Sequence, residues 1–201
     1  MNDNQSFWDH CAGFYAPIQQ RSNRRLYREL ALMCRSYLGK EMDVLELACG
    51  TGQFTYPLCD HANSWEATDF SEKMILQAMK TPCSAHFSVQ DATRLPYGNR
   101  CFDLVLIANA LHIMPRPQMA LSEIHRVLKP GGILLAPTFV YEGKVNGTRM
   151  KLTTLLGFRT FHKWDSEGLC RFTEAEGFRC LSSELVPGNP LPVAFSVFRR
   201  V

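Results

Sequence analysis

The sequence is poor in the features that mark several large protein classes. No apolar run approaches the roughly 18 residues of a membrane-spanning helix, so stable insertion into a bilayer is not expected. The net charge is only +3 over 201 residues, too small for a dedicated nucleic-acid binder. Eight cysteines, at positions 11, 34, 49, 59, 83, 101, 170 and 180, never form a Cys-x-x-Cys pair, and no cluster has metal-ligand spacing. No metal is therefore expected, and the thiols should be reduced and mostly buried. The opening Met1-Asn2-Asp3-Asn4-Gln5 is polar and lacks a secretory leader, which points to the cytoplasm. Internal repeats and low-complexity linkers are missing too. With 46% hydrophobic and 20% charged residues, 1–201 is expected to form a single globular domain.

The segments that remain alternate in period. Ser22 to Leu38 reads as a helix, with Leu26, Leu30, Met33 and Tyr37 three or four apart. Short apolar strands follow at Val44 to Leu47, Trp65 to Thr68, Ala85 to Val89, Phe102 to Ala108 and Ile133 to Val140. Helices fit between them at Gln53 to Cys59, after Ser71 as N-cap, and from Gln118 to Leu128. Such alternation implies a parallel sheet with right-handed crossovers. After a helix near Asp165 to Glu176, the strands Arg179 to Val186 and Val193 to Arg199 meet at Pro187-Gly188-Asn189-Pro190. That tight turn makes them antiparallel, so the sheet should end with a reversed strand.

One further absence is local. The first strand runs into Ala48-Cys49-Gly50-Thr51-Gly52, and no lysine lies between Val44 and Thr55. Gly50 and Gly52 allow a sharp turn and a close approach by a ligand, and the next helix offers free N–H groups at its start. A phosphate-binding loop of the Gly-x-x-x-x-Gly-Lys type fails for want of the lysine. A nicotinamide-dinucleotide loop would want a third glycine where Thr55 stands, and Glu46 would repel a pyrophosphate. S-adenosylmethionine carries no phosphate and brings a cationic methionine end that an acid attracts. Glu46 can meet that end while loop N–H groups serve the carboxylate. Asp69 closes the second strand, where it can accept from both ribose hydroxyls; the plainer reading is a helix N-terminal acid. Asp91 follows the third strand, where it can accept from the adenine amine; the plainer reading is a solvated loop acid.

These residues resemble the motifs of the class I S-adenosylmethionine-dependent methyltransferases, within the ubiquinone/menaquinone-biosynthesis-like (methyltransferase type 11) group. Val44 to Phe54 resembles the first motif, Thr68-Asp69-Phe70-Ser71 the ribose motif, and Gln90-Asp91-Ala92-Thr93 the adenine motif. Leu128-Lys129-Pro130-Gly131-Gly132 is similar to the turn before the fifth strand. The resemblance covers roughly residues 40–140. It implies an α/β, Rossmann-like, doubly wound and mostly parallel seven-stranded sheet with a reversed C-terminal strand. It also implies that Glu46, Ala48, Gly50, Thr51, Gly52, Asp69, Phe70, Asp91, Ala92, Thr93, Asn109 and Tyr15 bind the cofactor. The common Asp-x-Gly-Cys-Gly is Glu-x-Ala-Cys-Gly here, which keeps the acid and narrows backbone freedom at Ala48.

Methyl transfer from a sulfonium depends mainly on positioning two reactants, with a base for a poorly acidic acceptor. Asn109-Ala110-Leu111-His112 follows the fourth strand, where the family places acceptor-facing residues. It does not match the Asn/Asp-Pro-Pro-Phe/Tyr of amino-methylating relatives, so nucleic-acid and protein-glutamine acceptors are not expected. His112 and His10 are candidate bases; packing is the alternative for each. Residues 1–38 form an N-terminal arm and helix expected to act as a lid, and 141–164 an insert that could wall an apolar acceptor pocket. Arg21, Arg24, Arg25 and Arg28 cluster on the first helix, as a solvated face or as a contact for an anionic substrate or membrane surface. The expected activity is methylation of a small-molecule acceptor, apolar or quinone-like. A non-catalytic S-adenosylmethionine binder and a nicotinamide-dependent dehydrogenase are the alternatives.

Overall fold

The computed structural model describes residues 23–142 and 160–201. Eight strands form one sheet: β1 (Asp43–Leu47), β2 (Ser64–Asp69), β3 (His86–Val89), β4 (Phe102–Ile107), β5 (Leu128–Leu135), β6 (Thr138–Phe139), β7 (Phe178–Val186) and β8 (Val193–Arg200). Helix α1 covers 23–35. The others are α2 (Thr55–Leu58), α3 (Glu72–Ala78), α4 (Pro117–Val127) and α5 (Ser166–Glu174).

The first five long strands are parallel in the order β3-β2-β1-β4-β5. β8 runs antiparallel to β5, and β7 antiparallel to β8. The reversed strand therefore lies inside the sheet, between β5 and β7. β1 and β4 are central, covered on both faces, and so are almost continuously apolar. Leu26, Leu30, Phe54, Leu58 and Ile75 of the α1–α3 side pack on one face with Val44, Leu104 and Leu106. Leu121, Ile124 and Leu169 of α4 and α5 pack on the other with Leu45, Leu47, Val105 and Ile107. Alternate residues of β1 thus serve opposite cores. The chain reverses its winding between β1 and β4, which opens a crevice beyond their carboxyl ends.

Three details differ from the sequence reading. The expected fifth strand divides into β5 and β6, because Pro137 has no N–H to give a ladder. The expected turn at Lys129 to Gly132 lies inside β5, absorbed by a register shift between the Phe102–Leu128 and Leu104–Ile133 pairs. The helix after the glycine turn is a single turn, α2, continued by a 3-10 turn at Cys59–His61. Of the seven described cysteines, Cys34, Cys49 and Cys59 are buried, Cys101 is exposed and the rest are half-buried. No helix among the described residues is long and apolar enough to cross a membrane.

Ala48, where relatives of this motif carry glycine, sits at φ +54, in the left-handed region. That conformation costs a residue with a Cβ about 1–2 kcal/mol, and part is returned because alanine loses less entropy on folding. Ala48→Gly is expected to raise the unfolding free energy by about 0.5–1 kcal/mol in denaturant titration. An unchanged or lowered stability would contradict the turn geometry.

Candidate active site

A cavity of about 590 Å³ opens at the carboxyl edge of the sheet. The glycine turn contributes Ala48, Cys49, Gly50, Thr51, Gln53 and Phe54; the β2 end contributes Thr68, Asp69 and Phe70. The β3 end adds Asp91, Ala92 and Thr93, and the β4 end adds Ala108, Asn109 and Ala110. Gly52 is not on the wall. It turns the chain at φ +86, and a Cβ there would stand 2.7 Å from the Tyr56 ring.

Asp69 is the organising acid of this edge. It is the last residue of β2 and almost fully buried, at 6% exposure. One carboxylate oxygen accepts from the Gly50 N–H at 2.9 Å, the other from the Ser71 N–H at 2.9 Å. An ionised carboxylate has about four acceptor directions, so room remains for ligand donors. Asp91 closes a local turn by accepting from the Thr93 N–H and hydroxyl, both at 2.8 Å and both on one oxygen. The Gln90 N–H donates to the Asp69 carbonyl at 2.9 Å and ties the two strand ends together.

Three wall residues carry polar atoms that are buried and unbonded: Thr51 through its hydroxyl, Gln53 through Nε2, and Asn109 through both amide atoms. Asn109 is held at φ +53, with its N–H on the Pro137 carbonyl at 2.7 Å. Buried polar groups in folded proteins are nearly always bonded. An orphaned set of donors and acceptors on a cavity wall suits a ligand bearing both ammonium and carboxylate.

Residues 44–132 match the family model described as a methyltransferase domain. Over that span the chain is similar to methyltransferase domains. A demethylmenaquinone methyltransferase of Renibacterium salmoninarum is 38% identical over 96 residues, 48% of this chain and 40% of that one. The chain spans well under half the length of the curated relatives it matches. Among solved structures, the complex between the Haloferax volcanii Trm112 methyltransferase activator and a methyltransferase aligns with a TM-score of 0.79 at 18% identity. That alignment covers 96% of each chain. Magnesium protoporphyrin IX methyltransferase of Synechocystis, with bound S-adenosylhomocysteine, aligns at a TM-score of 0.70 and 16% identity, over 94% of this chain and 88% of that one.

Two expected site residues stand elsewhere than on the cavity wall. Glu46 does not line the cavity. It is on β1, two residues from Val44, and strand alternation turns it onto the α1–α3 face of the sheet. There one carboxylate oxygen accepts from the Thr55 hydroxyl at 2.6 Å and from Trp65 Nε1–H at 2.9 Å. Burial pushes its carboxyl up to about 7, the two donors pull it back, and the Asp69 charge adds to the rise. His112 does not line the cavity either. It lies on the one-turn 3-10 helix Leu111–Ile113, buried, with its ring edge-on to Phe139. Its carbonyl accepts from the N–H groups of Phe161 and His162 at 3.0 and 3.1 Å. Burial, then the neighbouring His162, lowers its imidazole to about 4. His10 and Tyr15, the N-terminal arm and most of the 141–164 insert lie outside the described residues.

Sequence reasoning missed Tyr27, Gln53, Arg94 and Arg116, all on the cavity wall. Tyr27 is one step around the helix from Leu26, a position the apolar periodicity passes over. Cys49 also lines the wall, with its thiol held neutral by burial and by the charges of Glu46 and Asp69.

The shifts of Glu46 and His112 have opposite consequences for stability. A carboxyl raised in the folded state costs stability as pH rises from about 4.5 to about 7; an imidazole lowered in the folded state costs stability as pH falls from about 6.5 to about 4. Each is worth roughly 3 kcal/mol at full shift, so the two slopes largely cancel between them. Relative to wild type, Glu46→Gln should gain stability as pH rises through its window. His112→Asn should gain as pH falls through its own, read by urea titration across pH. Parallel pH profiles of variant and wild type would contradict the burial of these groups.

Proposed function

We propose that this chain transfers the methyl group of S-adenosylmethionine to a small apolar or quinone-like acceptor. The observation that carries the reading is the wall itself. Two acids stand at successive strand ends, orphaned polar atoms share the wall with them, and no lysine stands in the turn. In this reading Asp69 accepts from the ribose hydroxyls while its other bonds keep it rigid. Asp91 accepts from the adenine amine, and Ala92 gives the ring a flat, small neighbour. Thr51, Gln53 and Asn109 take the carboxylate and ammonium of the methionine end. The cofactor supplies an electrophilic methyl on a sulfonium; the chain's own part is to hold, orient and exclude water.

Among the described residues, no histidine or lysine lines the cavity. That favours an acceptor whose reacting atom is acidic or electron-rich enough to need positioning more than a base. An activated ring carbon or hydroxyl of a quinol fits, and the quinone-methylating relatives lend support. The backbone carbonyl of His112 pins the strap at Phe161 and His162 to the loop after β4. A nicotinamide dinucleotide is disfavoured, since Asp69 holds the turn and Thr55 occupies the third glycine position.

Calorimetry with S-adenosylmethionine and S-adenosylhomocysteine tests the reading. Binding of both is expected. Asp69→Asn should weaken it about 10–100-fold, the range for losing hydrogen bonds to a charged group. Glu46→Gln should stay within about threefold of wild type, because its carboxylate is spent on Thr55 and Trp65. No binding by the full chain would overturn the cofactor; a larger loss from Glu46→Gln than from Asp69→Asn would overturn the residue roles.

A further inference from the structure

Helix α1 carries a face that neither the core nor the cavity uses. Leu26, Leu30, Ala31 and Cys34 bury one side against the sheet, and Tyr27 reaches the cavity wall. At about 100° per residue, Arg24, Arg25, Arg28, Leu32 and Arg35 fall on a single arc roughly opposite. All five are exposed, and Leu32 keeps 65% of its surface in water. None of the four guanidinium groups pairs with an acid among the described residues. Glu29 borders the arc and is the one acid of the helix. Four like charges and a bare leucine share this arc, and no acid lies within it.

We infer that this face docks the protein on an anionic membrane surface. Guanidinium groups suit lipid phosphates, and a leucine among them suits the boundary between headgroups and acyl chains. A nucleic-acid backbone would use the charges and leave Leu32 without a partner. Because α1 also supplies Tyr27 to the cavity, docking brings the cavity beside the bilayer, where an apolar acceptor dissolves. That consequence rests on the apolar acceptor proposed above; the docking itself does not.

Sedimentation of the full chain with lipid vesicles tests it. The chain is expected to pellet with phosphatidylcholine vesicles containing phosphatidylglycerol, to stay in solution with phosphatidylcholine alone, and to be released by high salt. Each arginine near such a surface is worth about fivefold in partition, so Arg25→Glu with Arg28→Glu should lower binding by about 25-fold or more. Leu32→Ala should also weaken binding, whereas Lys80→Glu with Arg179→Glu, exposed elsewhere, should lower it less than the Arg25/Arg28 pair. Calorimetry of the same variants with S-adenosylhomocysteine should be unchanged, which confirms folding and keeps the cofactor question separate. No pelleting with the anionic vesicles, or wild-type pelleting by the Arg25/Arg28 variant, would overturn the proposal. So would wild-type pelleting by Leu32→Ala together with displacement by a single-stranded oligonucleotide.

Discussion

Two acidic side chains hold the glycine turn, and the cavity wall is built on Asp69 of the pair. Asp69 reaches in from β2 and takes the Gly50 N–H, so the turn cannot open without exposing a buried charge. Glu46 stands beneath, on β1, and gathers Thr55 from the start of α2 and Trp65 from β2. The turn is thus clamped at its middle by one acid and at its exit by another. The low dielectric that makes such bonds effective also raises the Glu46 carboxyl, through burial and through the nearby Asp69 charge. Beside the clamp, Thr51 and Gln53 keep buried polar atoms unbonded on the cavity wall, and Asn109 does the same from the loop after β4. Rigidity in the turn and open hydrogen-bonding capacity at the wall stand side by side.

Much of this fold is legible in the residues themselves. The central strands announce themselves because burial on both faces demands continuous apolar runs, as Leu104 to Ile107 shows. Ser71 marks the start of α3 by accepting from the Met74 N–H, as an N-cap should. The reversed strand follows from a hairpin too tight for a crossover. Asp69 and Asp91 are legible as site residues for a related reason. A side chain at the end of a strand, or just past it, projects over the sheet edge, where parallel folds keep their ligands.

What was not legible is instructive. Glu46 reads as a site acid by proximity to the glycines, yet it lies within the strand, where period two sends it onto a sheet face. The alternation of Val44 against Leu45 and Leu47 already carries that information. His112 reads as a catalytic base from its place after β4, but the 3-10 turn at Leu111 rotates it into the core. Local pattern does not specify that rotation; it comes from packing against Phe139 and from the strap at Phe161 and His162. Pro137 shows a simpler limit. The segment Ile133 to Val140 reads as one strand on its apolar residues, while the missing N–H of Pro137 divides it.

The most direct test of this account is a crystal structure with S-adenosylhomocysteine bound. Ribose hydroxyls on Asp69, the adenine amine on Asp91, and the amino-acid end among Thr51, Gln53 and Asn109 would uphold it, with Glu46 still bonded to Thr55 and Trp65. A Glu46 carboxylate in contact with the ligand, or a ligand seated away from the glycine turn, would contradict it.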